Sequence, residues 1–196
     1  MALPDRVDQR DIQKLGGRRA KYPTAAVVDA LLRPLRPRCV LETTYGEGRF
    51  YAVFRPPYLI GVDVERREWL VRPDEFYEMP VWAFFHALRE GRLALGRGPE
   101  VVVCDPPWGF WQRRRLHYWR ASAYGSPRLI LEYSLRVAEL AGARFFLLHW
   151  GEEGAWKKPP APAGWRLERV VEFRPFTRYL NAGETRTFFA LYSLSK

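Results

Sequence analysis

The chain has 196 residues, of which 47% are hydrophobic and 15% aromatic, so it can bury a sizeable core within a single domain. It contains no apolar run long enough to cross a membrane and no charged-then-apolar leader, so we expect a cytoplasmic protein with no membrane partner. The two cysteines, Cys39 and Cys104, form no CxxC or Cys/His cluster, so we expect neither a disulfide nor a bound metal.

The net charge of +10 is concentrated in two stretches. Residues 1–38 hold nine Lys or Arg against four Asp or Glu, and residues 108–128 hold five Arg and no acid. Basic charge confined to two segments favours a nucleic-acid partner, because phosphate contacts supply most of the affinity that does not depend on base sequence. An arginine-rich solubilising surface, as in heat-adapted proteins, is the alternative.

Residues 1–21 are predicted to form a basic N-terminal extension, and residues 22–196 a single domain. The extension carries cations four residues apart, as on one helical stripe, at Arg6, Arg10, Lys14 and Arg18. Gly16 and Gly17 would interrupt such a helix, and a disordered basic tail is an equal alternative. The first helix of the domain is predicted over residues 25–32, with Thr24 as its N-cap.

A glycine turn follows the first predicted strand of the domain. Residues 40–50, VLETTYGEGRF, indicate an apolar strand that ends in an acid, then a Gly-x-Gly turn and a helix of one or two turns. Gly46 and Gly48 would let the backbone approach a ligand closely, although an ordinary tight turn is the commoner explanation of this pattern alone. Residues 59–64 indicate a second strand that carries Asp63, an acid suited to binding the two hydroxyls of a ribose.

A third motif, VVVCDPPW at residues 101–108, predicts a buried strand that delivers Asp105 to its carboxyl end. Pro106 and Pro107 hold the backbone extended. The Asp105 carboxylate and the Pro106 carbonyl could then accept the hydrogens of a flat amine while Trp108 stacks on its ring. A strand that ends in a proline turn with a half-buried Trp is the alternative.

Aromatic side chains alternate with arginines after this motif. Stacking side chains beside phosphate-binding cations hold single-stranded nucleic acid without reading its sequence. The candidate substrate-binding residues are Trp111, Arg113, Arg114, Arg115, Tyr118 and Trp119. An amphipathic helix with its aromatic side chains against the core is the alternative. Nearer the C-terminus, Arg174, Arg178 and Tyr179 could extend the basic face or lie in a solvated loop.

The remaining patterns predict ordinary elements of an α/β domain. His86 lies in an apolar helical run and is expected to pack there. A helix is expected from Ser126-Pro127 to Leu140, followed by a strand over residues 145–150. Residues 167–173 and 187–192 are expected to form an antiparallel pair.

The three motifs, in this order, resemble those of class I S-adenosylmethionine-dependent amino-methyltransferases, the type with a DPPW motif that modifies adenine N6 or cytosine N4. The resemblance covers about residues 22–150. It implies a Rossmann-like, three-layer α/β/α fold with a seven-stranded sheet, mostly parallel with an antiparallel last strand. It also implies S-adenosylmethionine as cofactor and S-adenosylhomocysteine as product.

The resemblance assigns roles to particular residues. The implied catalytic residues are Asp105, Pro106, Pro107 and Trp108. The implied cofactor contacts are Tyr22, Thr24, Glu42, Thr43, Tyr45, Gly46, Gly48, Asp63, Val64 and Asp105. For Tyr22 and Thr24, core packing is an equal alternative.

The sequence therefore predicts methyl transfer to an exocyclic amine of a nucleobase. RNA with an accessible unpaired base is preferred to DNA, because the chain has no segment long enough for a target-recognition domain. Three alternatives remain: a DNA amino-methyltransferase, a protein glutamine N5-methyltransferase, which usually has Asn in place of Asp105, and a non-catalytic RNA-binding subunit. Such a subunit would be expected to have lost Gly46, Gly48 or Asp63.

Overall fold

The computed structural model describes residues 3–106, 126–151, 160, 162–175 and 186–195. The strands are β1 (Arg6–Asp8), β2 (Cys39–Glu42), β3 (Tyr58–Asp63), β4 (Glu75–Glu78), β5 (Val101–Cys104), β6 (Phe145–Gly151), β7 (Trp165–Arg174) and β8 (Thr187–Leu194). The α-helices are α1 (Gln9–Gln13), α2 (Gly17–Lys21), α3 (Pro23–Leu32), α4 (Val81–Arg89) and α5 (Pro127–Leu140), and two 3₁₀ turns cover Arg33–Leu35 and Arg49–Tyr51.

All described strands belong to one sheet, in the order β1-β7-β8-β6-β5-β2-β3-β4. The strand β8 runs antiparallel to both of its neighbours, and the other pairings are parallel. The predicted antiparallel last strand is thus confirmed, but the predicted number of strands, seven, is wrong because the sheet has eight. The additional strand is β1, which pairs with β7 at the sheet edge.

The strand β1 was not predicted because it has three residues and no visible alternation. Its central residue, Val7, is buried with Leu3 and with Ile12 of α1. These side chains belong to the same apolar cluster as Val27 of α3 and Phe173 of β7. Residues 3–12 are therefore packed against the core, and the N-terminal segment is neither the continuous helix nor the disordered tail considered above.

Alternate residues of the central strands face opposite sides of the sheet. Val101 and Val103 pack with α3 on one side, and Val102 and Cys104 pack with α4 and α5 on the other. Both cysteines are free thiols, and both are buried in the apolar interior. The sheet thus lies between two helical layers, which is the predicted three-layer arrangement.

Helix boundaries mostly follow the local sequence. Ser126 caps α5, its Oγ accepting a hydrogen bond from the Leu129 amide at 3.2 Å. The segment after Gly48 forms a single 3₁₀ turn, in line with the short helix predicted there. Thr24 is not the N-cap of α3, because the helix begins at Pro23, two residues earlier than predicted, with Tyr22 as N-cap. Proline is well suited to the first helical position because its fixed φ is already helical.

The order of the strands creates a crevice between β2 and β5. The chain runs outward from β2 through β3 and β4, and then returns along α4 to place β5 on the other side of β2. In open α/β sheets, ligands bind at the carboxyl ends of the strands where the direction of winding reverses.

None of the described helices combines the length and the apolar character that a membrane span requires.

Candidate active site

Three carboxylates meet at this crevice. Glu42 ends β2, Asp63 ends β3, and Asp105 directly follows β5. The registers Glu42↔Gly61 and Glu42↔Val103 place these strand ends at the same edge of the sheet. The structure therefore brings together the three acids that the sequence motifs single out.

The glycine turn is tied to both neighbouring strands. The Thr43 amide donates to the Val103 carbonyl at 2.9 Å, and the Tyr45 amide donates to the Val62 carbonyl at 3.0 Å. The Gly46 amide donates to Asp63 Oδ2 at 2.7 Å. One oxygen of Asp63 therefore holds the turn in place, a role that the sequence motif does not reveal.

The two glycines of the turn have different surroundings. Gly46 has φ +56° and open space where a Cβ would lie, so a ligand could approach its backbone. Gly48 has φ +72°, but a Cβ there would meet the Tyr45 hydroxyl and the Val71 carbonyl, both at 2.6 Å. Gly46 thus suits contact with a ligand, whereas Gly48 makes room for the Tyr45 side chain.

Glu42 is buried at the base of the crevice, with 3% of its surface exposed. Its Oε2 has no hydrogen-bond partner in the described part of the chain. Burial raises the pKa of this carboxyl well above its ordinary value, and the negative charges of Asp105 and Asp63 raise it further. The Tyr51 hydroxyl opposes this rise in pKa, although the two side chains do not meet normal hydrogen-bond geometry. A ligand with a donor or a positive charge would give this carboxyl the partner that it lacks and would lower its pKa.

Asp105 is held from both neighbouring strands. On the β2 side, its amide donates to Thr44 Oγ1 at 2.8 Å. On the β6 side, its Oδ1 lies 2.8 Å from His149 Nδ1. The Asp105 side chain remains 34% exposed, whereas that of His149 is only 8% exposed. The carboxylate is thus fixed in position and still accessible.

The sequence motifs identify neither Thr44 nor His149 as a partner of Asp105. His149 lies in the apolar run of β6, between Leu148 and Trp150, and a single polar residue in such a run indicates only a strand. Its ring stacks on Phe189 of β8 at 4.1 Å between centroids and meets the edge of Phe50 at 5.6 Å. A lone polar residue at the carboxyl end of a central strand is the one feature that could have indicated it.

A small cavity of about 10 Å³ opens beside Asp63 at the same edge. It has room for about one water molecule. The cavity is lined by Thr43, Thr44, Asp63, Val64, Met79, Pro80, Val81 and Ile130. Val64, predicted to contact the cofactor, thus borders the crevice through this cavity.

Other predicted contacts have evident packing roles. The Thr43 side chain bonds the Val103 carbonyl at 3.2 Å and Ser134 Oγ of α5 at 2.7 Å. The Tyr45 ring is buried, stacks on Tyr51, and donates its hydroxyl to the Val71 carbonyl at 2.6 Å.

Of the remaining predicted site residues, Pro106 is buried directly after Asp105, and the others lie in two places. Tyr22 and Thr24 lie at the start of α3, where both are half-buried. Pro107, Trp108 and the whole predicted substrate segment lie outside the described residues, as do Arg178 and Tyr179.

The described residues offer little for metal or thiol chemistry. Within them, no group of His, Cys, Asp and Glu side chains could hold a metal ion. Burial raises the pKa of the Cys104 thiol to about 12, so this thiol stays protonated and is a poor nucleophile. Among the described residues, the ionisable side chains at the crevice include Glu42, Asp63, Asp105 and His149.

The chain is similar in fold to known methyltransferases, although no family model and no curated protein matches it. A protein from Escherichia coli described as a methyltransferase is 17% identical, with a TM-score of 0.46 over 89% of this chain and 86% of that one. A 16S rRNA methylase is 12% identical, with a TM-score of 0.47 over 91% of this chain and 64% of the other. A protein from Pyrococcus horikoshii described as an RNA methyltransferase is 11% identical, with a TM-score of 0.48 over 95% and 96% of the two chains. These structural neighbours are described as methyltransferases, but at such identities and TM-scores their likeness assigns no activity to this chain.

Proposed function

We propose that this protein transfers a methyl group from S-adenosylmethionine to an exocyclic amine of a nucleobase, adenine N6 or cytosine N4, in RNA. The observation that carries the proposal is the accessible carboxylate of Asp105, near the Gly46–Asp63 contact. Thr44 binds the backbone amide of Asp105, and His149 contacts its Oδ1. A positioned acceptor next to a ligand crevice is what amine methylation requires.

The crevice has hydrogen-bond acceptors and an accessible stretch of backbone, both of which suit S-adenosylmethionine. Gly46 leaves space for a ligand, and Glu42 Oε2 is a buried acceptor without a partner in the described residues. The cofactor carries an ammonium group, a positive sulfonium and two ribose hydroxyls, all of which favour acidic partners. Gly46, Glu42 and Asp63 would hold it, and when bound it supplies an activated methyl group.

Asp105 would act on the amine of the substrate base. Such an amine is a weak nucleophile because its lone pair is delocalised into the ring. Hydrogen bonds from the amine to the Asp105 carboxylate and the Pro106 carbonyl would favour a pyramidal nitrogen with its lone pair directed outward. Asp105 is then the acceptor for the proton that the amine loses.

RNA is the proposed substrate class because of the charge pattern and the arginine-aromatic segment. The chain has a net charge of +10, and residues 108–128 alone contribute five arginines and no acid. Phosphates would pair with these arginines, and an unpaired base would stack on Trp108 or on the aromatic side chains that follow. The DNA, protein and non-catalytic alternatives become outcomes of the experiment.

The experiment incubates the full chain with methyl-labelled S-adenosylmethionine and either RNA, duplex DNA or bulk protein, and then digests each to monomers. The expected product is labelled N6-methyladenosine or N4-methylcytidine from RNA. Labelled bases recovered from DNA, or labelled glutamine recovered from protein, would instead identify DNA or protein as the substrate. A melting temperature unchanged by S-adenosylmethionine would refute cofactor binding, since a ligand of the native state must raise it.

The matched variants are Asp105→Ala and Asp11→Ala. Asp11 is an exposed aspartate of α1 that pairs with Lys14. We expect Asp105→Ala to abolish transfer while retaining the cofactor-induced rise in melting temperature, and Asp11→Ala to behave as wild type. Transfer by Asp105→Ala at the wild-type rate would refute the proposed role of the carboxylate.

A further inference from the structure

His149, on the neighbouring strand β6, contacts the proposed catalytic carboxylate of Asp105. Its Nδ1 lies 2.8 Å from Asp105 Oδ1, and its ring stacks on Phe189 and packs edge to face with Phe50. His149 belongs to β6 and Thr44 follows β2, so Asp105 is held from the two strands that flank β5. Such an arrangement restricts both the backbone and the side chain of Asp105.

The geometry distinguishes two roles that this histidine could have. A carboxylate has no proton to donate, so the hydrogen between the two groups must be carried by His149 Nδ1. The other ring nitrogen, Nε2, is buried and not in contact with solvent. With Nδ1 occupied by a proton and Nε2 enclosed, His149 is poorly placed to receive the proton of a substrate. It is well placed to orient the carboxylate.

We propose that His149 is a positioning residue, which holds Asp105 through Oδ1 and so leaves Oδ2 for the substrate. Among the described residues, Oδ2 of Asp105 has no hydrogen bond, and the side chain is 34% exposed. The carboxylate therefore presents one oxygen in a fixed direction. The part of this proposal that concerns the substrate amine rests on the proposed function; the protonation of His149 does not.

The kinetic test compares His149→Leu with His149→Asn. Leucine removes the donor, whereas the asparagine amide nitrogen is bonded to Cγ, as Nδ1 is in histidine, and can donate in its place. We expect His149→Leu to lower kcat about 100-fold, since a small misplacement of a catalytic group has an effect of that size. The KM for RNA and the Kd for S-adenosylmethionine should stay near their wild-type values, and His149→Asn should recover most of the lost rate.

The matched control is His86→Leu. His86 lies on α4, packed against Phe85 and Tyr133 and away from the crevice. The His86→Leu variant should leave kcat unchanged. If His149→Leu keeps the wild-type kcat, or if His149→Asn is as slow as His149→Leu, the positioning role is wrong even though the methyltransferase assignment stands.

A second readout needs no activity. Imidazole ¹⁵N NMR of the wild-type protein at neutral pH should show His149 with a proton on Nδ1, and Asp105→Ala should shift that signal while leaving the His86 signals unchanged. A His149 ring protonated only on Nε2 would overturn the proposal. This measurement stands if no substrate is methylated and if His149→Leu does not fold, so failure of this inference can be told apart from failure of the proposed function.

Discussion

The buried carboxyl of Glu42 makes the stability of this protein depend on pH in a way that one substitution should remove. Burial raises the pKa of Glu42 in the folded protein well above its ordinary value of 4.5, which applies to the unfolded chain. The folded state therefore keeps a proton that the unfolded state releases. The contribution of Glu42 to stability is fully present below pH 4.5 and is lost as the pH rises toward the folded-state pKa.

Glu42→Gln retains the shape of the side chain and abolishes its titration. In the wild type, ionising this carboxyl inside the fold costs about 1.4 kcal/mol for each unit by which its pKa exceeds that of the unfolded chain. In a domain of this size, 1 kcal/mol corresponds to about 2–4 °C in melting temperature. The ligand-free variant should thus melt at about the wild-type temperature near pH 4, and at least about 3 °C higher at pH 8.

The assay is thermal unfolding of both proteins from pH 4 to pH 8, with and without S-adenosylmethionine. The variant should gain less from the cofactor, because it has lost the acidic partner in the crevice. Glu78→Gln, at an exposed position of β4, is the matched control and should show neither effect. A difference between Glu42→Gln and wild type that does not change with pH would refute the reasoning.

Three further predictions concern the glycine turn, the cofactor and the RNA. Gly48→Ala should destabilise the fold by about 2–4 kcal/mol in chemical denaturation, because backbone strain at positive φ adds to overpacking against Tyr45. Gly46→Ala meets open space and should cost only about 1 kcal/mol of strain, which makes it the matched control. Asp63→Ala should weaken S-adenosylmethionine binding in calorimetry by about 1.5–3 kcal/mol, the value of a hydrogen bond to a charged group, and should also release the Gly46 amide. Replacing Arg113 and Arg114 together by Ala should reduce the slope of log affinity for single-stranded RNA against log salt by about 1.4, equivalent to two phosphate contacts.

Each of these three predictions has an outcome that contradicts it. Equal stability losses for the two glycine variants would mean that Tyr45 and Val71 do not crowd Gly48. Unchanged calorimetric affinity of Asp63→Ala would remove Asp63 from the cofactor site. If replacing the two arginines leaves the salt slope unaltered, the RNA-binding surface must lie elsewhere on the protein. The control for this last test is Arg89→Ala with Arg92→Ala. Arg89 ends α4, and Arg92 lies in the turn that follows it.

Local sequence was sufficient for most of the elements and for the position of the crevice. The apolar runs before Glu42, Asp63 and Asp105 form β2, β3 and β5, and parallel strands end at the same edge of a sheet. Because the side-chain period of a strand and the position of an acid in it are properties of a few consecutive residues, the meeting of these three acids could be predicted without coordinates.

The tertiary structure decided what each of these groups contacts. The pairing of β1 with β7 joins Arg6 to Glu172, far apart in the chain, and three residues of strand carry no periodicity from which to infer it. The pairing of Asp105 with His149, the orphaned Oε2 of Glu42 and the crowding of Gly48 by Tyr45 likewise depend on which strands become neighbours and how closely their side chains pack. Such contacts are set by the packing of the whole chain, so local propensity identified the chemical groups of the site and only the folded sheet determined their hydrogen bonds, burial and ionisation.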